Sequence, residues 1–236
     1  MLYHNPQAKL NTHEVFNQSE EMSNYNLFSS DKVLNHYALK FNANEFHKEF
    51  SDFGKAIGSS ENILRGKLAN SNPPILKQFD RFGHRIDEVE YHPAYHELMT
   101  LAKKHRVDTI AWNSNKENAH LAHVVLEYML FQIEPGICCP LTMTYAALPA
   151  IKKETGLFGK LSSKLMSDQY QKDLVPIAGK ESIMMGMAMT EKQGGSDIRA
   201  NTTIANAAGS GELGEEYLLT GHKWFCSAPM SDAFLS

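Results

Sequence analysis

The sequence predicts an α+β protein, in which a helical N-terminal domain gives way to the first strands of an antiparallel β-domain. Three observations predict it. From Asn44 to Met166 apolar residues recur at spacings of three and four, the period of helices that bury one face. After Ser182 this period yields to alternation, with Met185, Met187 and Met189 set against Gly186 and Ala188. Glycine-rich runs, above all Ala208-Gly209-Ser210-Gly211-Glu212-Leu213-Gly214, then separate the apolar segments in the manner of hairpin turns. These patterns divide the chain into an N-terminal arm over residues 1–43, a helical domain over 44–180 and the first part of a β-domain over 181–236.

The arm is rich in Asn, Ser and His with scattered aromatics (Phe16, Tyr25, Phe28, Tyr37), which predicts an extended segment with short helices packed on the body. Phe46, Phe50, Phe53 and Ile57 then place one aromatic face on a helix that ends near Gly58. Ser59 or Ser60 caps a second helix carrying Ile63, Leu64 and Leu68, and Asn72-Pro73-Pro74 stops it. After a short piece through Ile75 and Phe79, residues 81–91 alternate and read as extended. Pro93 begins a helix with Tyr95, Leu98, Met99 and Ala102 on one face and the cationic run Lys103, Lys104, His105, Arg106 at its end. Residues 116–132 are apolar on two faces and predict a central, largely buried helix, which Pro135-Gly136 stops. Core helices over 142–153, despite Pro149, and over 158–166 follow. In the last part, strands are predicted over 183–190, 201–208 and 217–227, the start of an antiparallel sheet or barrel.

Composition narrows the function classes. The balance of 23 basic against 27 acidic residues gives a formal charge of −4, which offers nucleic acid no overall positive field. Three cysteines, two of them neighbours at Cys138 and Cys139, argue against a disulfide framework and suit a reducing compartment. The N-terminus lacks the pattern of a secretory signal, and no apolar run approaches the ~20 residues of a membrane span, so a cytoplasmic location is expected. The apolar, uncapped end at Phe234-Leu235-Ser236 reads as a truncation. His92/His96 and His120/His123 have ligand-like spacing, but neither pair has a convergent third ligand in sequence, and no metal site is assigned. No Gly-x-Gly-x-x-Gly follows a strand, so a Rossmann nucleotide site is not supported.

The stretch Met189-Thr190-Glu191-Lys192-Gln193-Gly194-Gly195-Ser196-Asp197 carries the chemistry. A strand that ends in a hydroxyl and opens into a Gly-Gly-Ser turn offers backbone N–H groups and two hydroxyls to an anionic or carbonyl-rich ligand. This stretch resembles the Met-Thr-Glu-x-x-x-Gly-Ser-Asp signature of the acyl-CoA dehydrogenase family, and Trp224-Phe225-Cys226-Ser227 resembles that family's second flavin motif. With Gly221-His222-Lys223-Trp224-Phe225, Leu68-Ala69-Asn70-Ser71-Asn72-Pro73-Pro74 and Cys139-Pro140-Leu141-Thr142-Met143-Thr144, it looks closer still to the AidB-like, isovaleryl-CoA dehydrogenase-like branch tied to the adaptive response to DNA alkylation. Lys192, where the wider family usually has Pro, fits that branch.

The resemblance implies FAD as cofactor, held by Met189, Thr190, Ser196, Phe225, Cys226 and Ser227. Thr190 would meet the pyrimidine edge, Ser196 the pyrophosphate, Phe225 the ring, and Ser227 the neighbourhood of N5, where a hydroxyl or N–H stabilises the atom that takes up hydride. By strand alternation the Cys226 thiol turns to the opposite face and is expected to pack. The implied reaction is oxidation of an isovaleryl-CoA-like acyl thioester, whose carboxylate base belongs to a C-terminal helical domain absent from this sequence; Glu191 is given no base role, and these residues alone are expected to be inactive. The implied partners are an acyl-CoA, other copies of the chain in a homotetramer, and no membrane. The other reading implied by the branch is a flavoprotein associated with double-stranded DNA through the same C-terminal domain, with little dehydrogenase turnover.

Overall fold

A computed structural model describes residues 16–236, so the first fifteen residues of the expected arm lie outside it. The helical part begins with α1 (Leu27–Ser30) and α2 (Lys32–Lys40). Each has a side-chain cap: Asn26 accepts from Phe28 and Ser29 N–H at 3.0 and 3.1 Å, and Asp31 from Val33 and Leu34 N–H at 2.9 and 2.8 Å. The aromatic helix is α3 (His47–Ile57), and Phe46, Phe50, Phe53 and Ile57 are all buried. Ser59 caps α4 (Ser60–Ser71), which ends before the paired prolines. β1 (Ile75–Phe79) and β2 (Arg85–Glu90) form an antiparallel hairpin, so only part of the expected extended stretch is strand. Its turn is built by Asp80, whose carboxylate accepts from Phe82 and His84 N–H at 2.8 and 2.9 Å.

α5 (Pro93–Lys104) starts at the predicted proline, with the His92 ring accepting from Ala94 N–H at 3.1 Å. Lys103 departs from the picture of a solvated cationic last turn: it is fully buried, and its Nζ lies 2.7 Å from Asp108 Oδ2. A short α6 (Ile110–Asn113) precedes α7 (Ala119–Phe131). The expectation of a largely buried helix, apolar on two faces, holds for one face only. Val125, Leu126, Met129 and Leu130 are buried, whereas Val124, Tyr128 and Phe131 are 56%, 48% and 60% exposed, because only one side of α7 meets α3 and α8. α8 (Cys138–Ile151) keeps Pro149 in its last turn. A proline there cannot donate to the carbonyl of Tyr145 four residues back, and that carbonyl instead accepts from the Trp112 indole N–H at 3.1 Å. α9 (Thr155–Leu165) completes the helices.

Among the described residues the strands that follow form two pairs. β3 (Met185–Met187) pairs in parallel with β6 (Ala233–Leu235), and β4 (Ile204–Gly211) pairs antiparallel with β5 (Gly214–Thr220). The strand limits differ from those expected. The first keeps three residues, the second runs through the predicted glycine turn to a two-residue turn at Glu212-Leu213, and the third ends at Thr220, leaving Trp224-Phe225-Cys226-Ser227 in a loop. The parallel pair was not foreseen; the long connection through 188–232 is what makes that direction possible. One core cluster fills the space between α1, α3, α5 and α7, with Phe53, Leu98, Leu126 and Met129 at its centre. A second cluster joins Ala147, Leu148, Ile151, Leu161 and Leu165 to Ile183 and Met185, and so seats β3 on α8 and α9. No helix among the described residues is long and apolar enough to cross a membrane.

Candidate functional site

β3 reaches the site from a clamped base. Lys180 Nζ lies 2.5 Å from Asp232 Oδ1 with both side chains buried, and Asp232 Oδ2 accepts from Met184 N–H at 2.8 Å. Thr144 Oγ1 on α8 accepts from Met185 N–H at 3.0 Å. Gly186 is required here by close approach: the Phe234 ring lies where a Cβ would sit. The chain then leaves β3 toward Met189 and Thr190 at the open edge.

There the two motifs meet. Trp224 N–H donates to Thr190 O at 2.9 Å and Lys192 N–H to His222 O at 3.0 Å, so the segment around 222–224 lies along 190–192. Between them Glu191 is buried, and its carboxylate accepts from both Thr202 and Thr203. Oε2 takes Thr202 N–H at 2.8 Å, Thr202 Oγ1 at 3.1 Å and the Gln193 amide at 2.5 Å. Oε1 takes Thr203 N–H at 3.0 Å and its hydroxyl at 2.6 Å, with Lys223 Nζ 3.6 Å away. The Thr202 N–H and then the Thr203 hydroxyl outweigh burial and hold this carboxyl well below the usual carboxylate range. So engaged, it is a fixed anion and not a base free to take up a proton. Gly195 packs against Thr190, whose Oγ1 would stand 2.6 Å from an added Cβ.

The predicted ligand residues flank this knot. Met189 is 42% exposed and its carbonyl accepts from Asn201 Nδ2 at 2.9 Å. Thr190 is half-buried and Ser196 exposed. Phe225 is 78% exposed, edge-on to the Trp224 ring with centroids 6.0 Å apart. Cys226 and Ser227 are exposed too. The expectation that the Cys226 thiol packs is corrected: it assumed strand alternation, and this segment is a loop in which Phe225 and Ala228 take φ of 55° and 50°. Left-handed backbone at a bulky side chain costs ~1–2 kcal/mol and is concentrated at functional sites. The loop therefore leaves an aromatic ring and the Ser227 hydroxyl exposed. Sequence reasoning passed over Thr202 and Thr203 and took Lys223 only as part of a motif; a Thr-Thr pair shortly after an acid-containing glycine turn was the available signal.

A cleft of about 1030 Å³ opens on the other side of the clamp, lined by Tyr91, Tyr95, His96, Tyr170 and the Lys180–Asp232 pair. Two of its polar groups are matched to each other, a His96 ring nitrogen lying 2.9 Å from Tyr170 Oη. Burial raises the hydroxyls of Tyr95 and Tyr170 above their ordinary range and lowers His96. The other histidines singled out in sequence have neighbours of their own, His120 at 2.6 Å from Tyr145 Oη and His123 between the Val107 carbonyl and Glu127. Among the described residues no three His, Cys, Asp or Glu side chains converge as metal ligands do.

Comparison with known proteins places this geometry. Residues 17–172 match the family model of the adaptive response protein AidB N-terminal domain. The chain is 39% identical over 226 residues to AidB of Escherichia coli (strain K12), covering 95% of this chain and 41% of that protein. It is 28% identical over 193 residues to acyl-CoA dehydrogenase family member 11 of Caenorhabditis elegans, covering 80% and 30%. It therefore spans well under half the length of these relatives. Among solved structures, the apo-form of Bd2924 superposes with a TM-score of 0.79 at 25% identity, over 92% of this chain and 43% of that one. Caenorhabditis elegans ACDH-11 in complex with C11-CoA superposes with a TM-score of 0.76 at 22% identity, over 96% and 39%, which shows a shared fold. With residues 17–172 matching that N-terminal domain and 39% identity over 95% of its length, the chain belongs to the AidB branch of the acyl-CoA dehydrogenase family.

Proposed function

We propose that residues 181–236 form part of an FAD site, with Met189, Thr190, Ser196, Phe225, Cys226 and Ser227 as the flavin contacts, in a protein that oxidises an acyl-CoA thioester. The observation that carries this reading is the pair of backbone bonds, Trp224 N–H to Thr190 O and Lys192 N–H to His222 O, which brings two flavin-like motifs to one exposed edge. Thr190 and Ser196 supply hydroxyls to polar parts of the cofactor, and Phe225 supplies an apolar face. FAD supplies the acceptor for hydride when bound. Ser227 would offer the ring its hydroxyl, an uncharged donor that stabilises developing negative charge, while its N–H is taken by the Phe225 carbonyl at 2.9 Å. An isovaleryl-CoA-like substrate and a tetrameric assembly belong to the same reading. The formal charge of −4 favours this reading over DNA association for these residues.

The test is FAD titration of the complete protein followed by flavin fluorescence. Thr190→Val and Ser196→Ala each remove one hydrogen bond, with an expected loss of ~1–3 kcal/mol in binding, about 5- to 150-fold in affinity. Unchanged affinity in both variants refutes the assignment.

A further inference from the structure

We propose that Glu191 is a positioning residue, whose carboxylate sets the spacing between the two cofactor-facing motifs by gathering donors from three separate segments. The proposal rests on the flavin reading above and deepens it. The segments are its own turn, through Gln193; the lead-in to β4, through Thr202 and Thr203; and the second motif, through Lys223. The β4–β5 ladder, which closes at the Ile204 and Thr220 pair, holds the second segment against the third and leaves the first to be placed. Every residue of β4 and β5 is exposed, so the hairpin offers no core packing that could seat that first segment. Apart from this carboxylate, the alignment of 190–192 on 222–224 depends on a few backbone bonds at the open edge.

A carboxylate is the side chain this junction needs. It only accepts, and five donors plus an ammonium converge on it. An amide of the same shape turns one acceptor into an N–H2 group that faces donors, from Thr202 or from Thr203. Glu191→Gln therefore loses bonds at one side and sets donor against donor, while its volume is unchanged. The side chain touches neither the exposed face of Phe225 nor that of Ser227, so its effect on the cofactor passes through Thr190 and Trp224, its neighbours in sequence and in backbone pairing.

The experiment compares wild type, Glu191→Gln and Thr203→Val in the complete protein. Three readouts are used: amide hydrogen exchange at Lys192 and Trp224 without ligand, FAD affinity, and the visible circular dichroism of bound flavin. Glu191→Gln is expected to speed exchange at both amides at least tenfold, to weaken FAD binding about tenfold and to alter the flavin dichroism. Thr203→Val, which keeps the carboxylate and removes one donor, is expected to shift all three in the same direction by a few-fold and remains informative if the Gln variant fails to fold. Wild-type exchange rates in a folded Glu191→Gln protein, or in Thr203→Val where only that variant folds, overturn the proposal, as does wild-type FAD affinity together with unaltered dichroism. If wild type itself takes up no FAD, the flavin reading fails, and the exchange rates alone then decide the role of Glu191.

Discussion

Replacing Lys103 with Met tests a fully buried ion pair of the helical part. Both Lys103 and Asp108 are 0% exposed, with Nζ 2.7 Å from Oδ2, and the second carboxylate oxygen of Asp108 has no hydrogen-bond partner. At an effective dielectric of ~20, unit charges at that separation attract by about 6 kcal/mol. Most of this offsets the loss of hydration, so the intact pair adds little net stability. Removing one partner is different, because the desolvated carboxylate is then left without its counter-charge, at a cost of ~3–5 kcal/mol. Domains of this kind have ~5–15 kcal/mol in all. Burial already holds the Asp108 carboxyl above its ordinary value of 3.8, against the pull of Lys103. A carboxyl raised in the fold binds its proton more tightly there than in the unfolded chain. The stability of Lys103→Met should therefore fall as pH rises from about 3.8 and be least impaired in acid. Urea unfolding at pH 5 and pH 7, with Lys103→Met/Asp108→Leu alongside, measures this. The double variant should come back to within ~1 kcal/mol of wild type. A wild-type midpoint for the single variant, or a double variant as unstable as the single, refutes the reasoning.

Two further outcomes are expected. Phe225→Leu removes a ring that is 78% exposed, so no cavity forms and the unfolding free energy should change by no more than ~0.5 kcal/mol, while the visible spectrum of bound flavin shifts. An identical spectrum in the folded variant argues against ring contact. His123 is buried with Nδ1 2.6 Å from the Val107 carbonyl and Nε2 3.2 Å from Glu127. Burial opposes its protonation, but the Glu127 carboxylate and the Val107 carbonyl together raise it above 6.5. Its contribution should be complete below pH 6.5 and fade as pH rises through the folded value, a loss that His123→Phe should abolish and that a flat wild-type profile would contradict.

Local signals carried much of the fold. The aromatic stripe Phe46, Phe50, Phe53, Ile57, the Ser59 cap and Pro93 each act within one helical turn, and the structure has them where periodicity and capping chemistry put them. What sequence could not show was pairing over distance. The β3–β6 ladder joins residues separated by the whole motif region, and its parallel direction leaves no trace in alternation. The strand near 217–227 was overextended because Trp224 and Phe225 are good strand formers, whereas the backbone turns left-handed at Phe225, just past the bonding of 222–224 to 190–192. Cys226 was misplaced for the same reason. Lys103 read as a dipole-matched surface cation because its partner Asp108 lies in the following turn, past the helix end. Both motifs were legible as strings of residue types; that Glu191 joins them was not, since its donors sit 11, 12 and 32 residues farther on.

The β3–β6 ladder also governs how this region can vary. Because Met185, Gly186 and Met187 pair with Ala233, Phe234 and Leu235, the intervening residues form a closed loop whose base is anchored by the Lys180–Asp232 pair. At the far end the β4–β5 hairpin turns at Glu212-Leu213 and meets the helices through Lys160, which donates to the Glu212 carbonyl at the surface. Lengthening such a loop by a few residues costs little closure entropy. Insertions and deletions at the hairpin tip are thus insulated from Thr190 and Trp224. A single residue added between Ser196 and Thr202 would move two donors away from Glu191 at once. The two ends of one loop thus tolerate change very differently, and relatives of this chain can diverge in hairpin length while keeping the spacing between the glycine turn and the Thr-Thr pair.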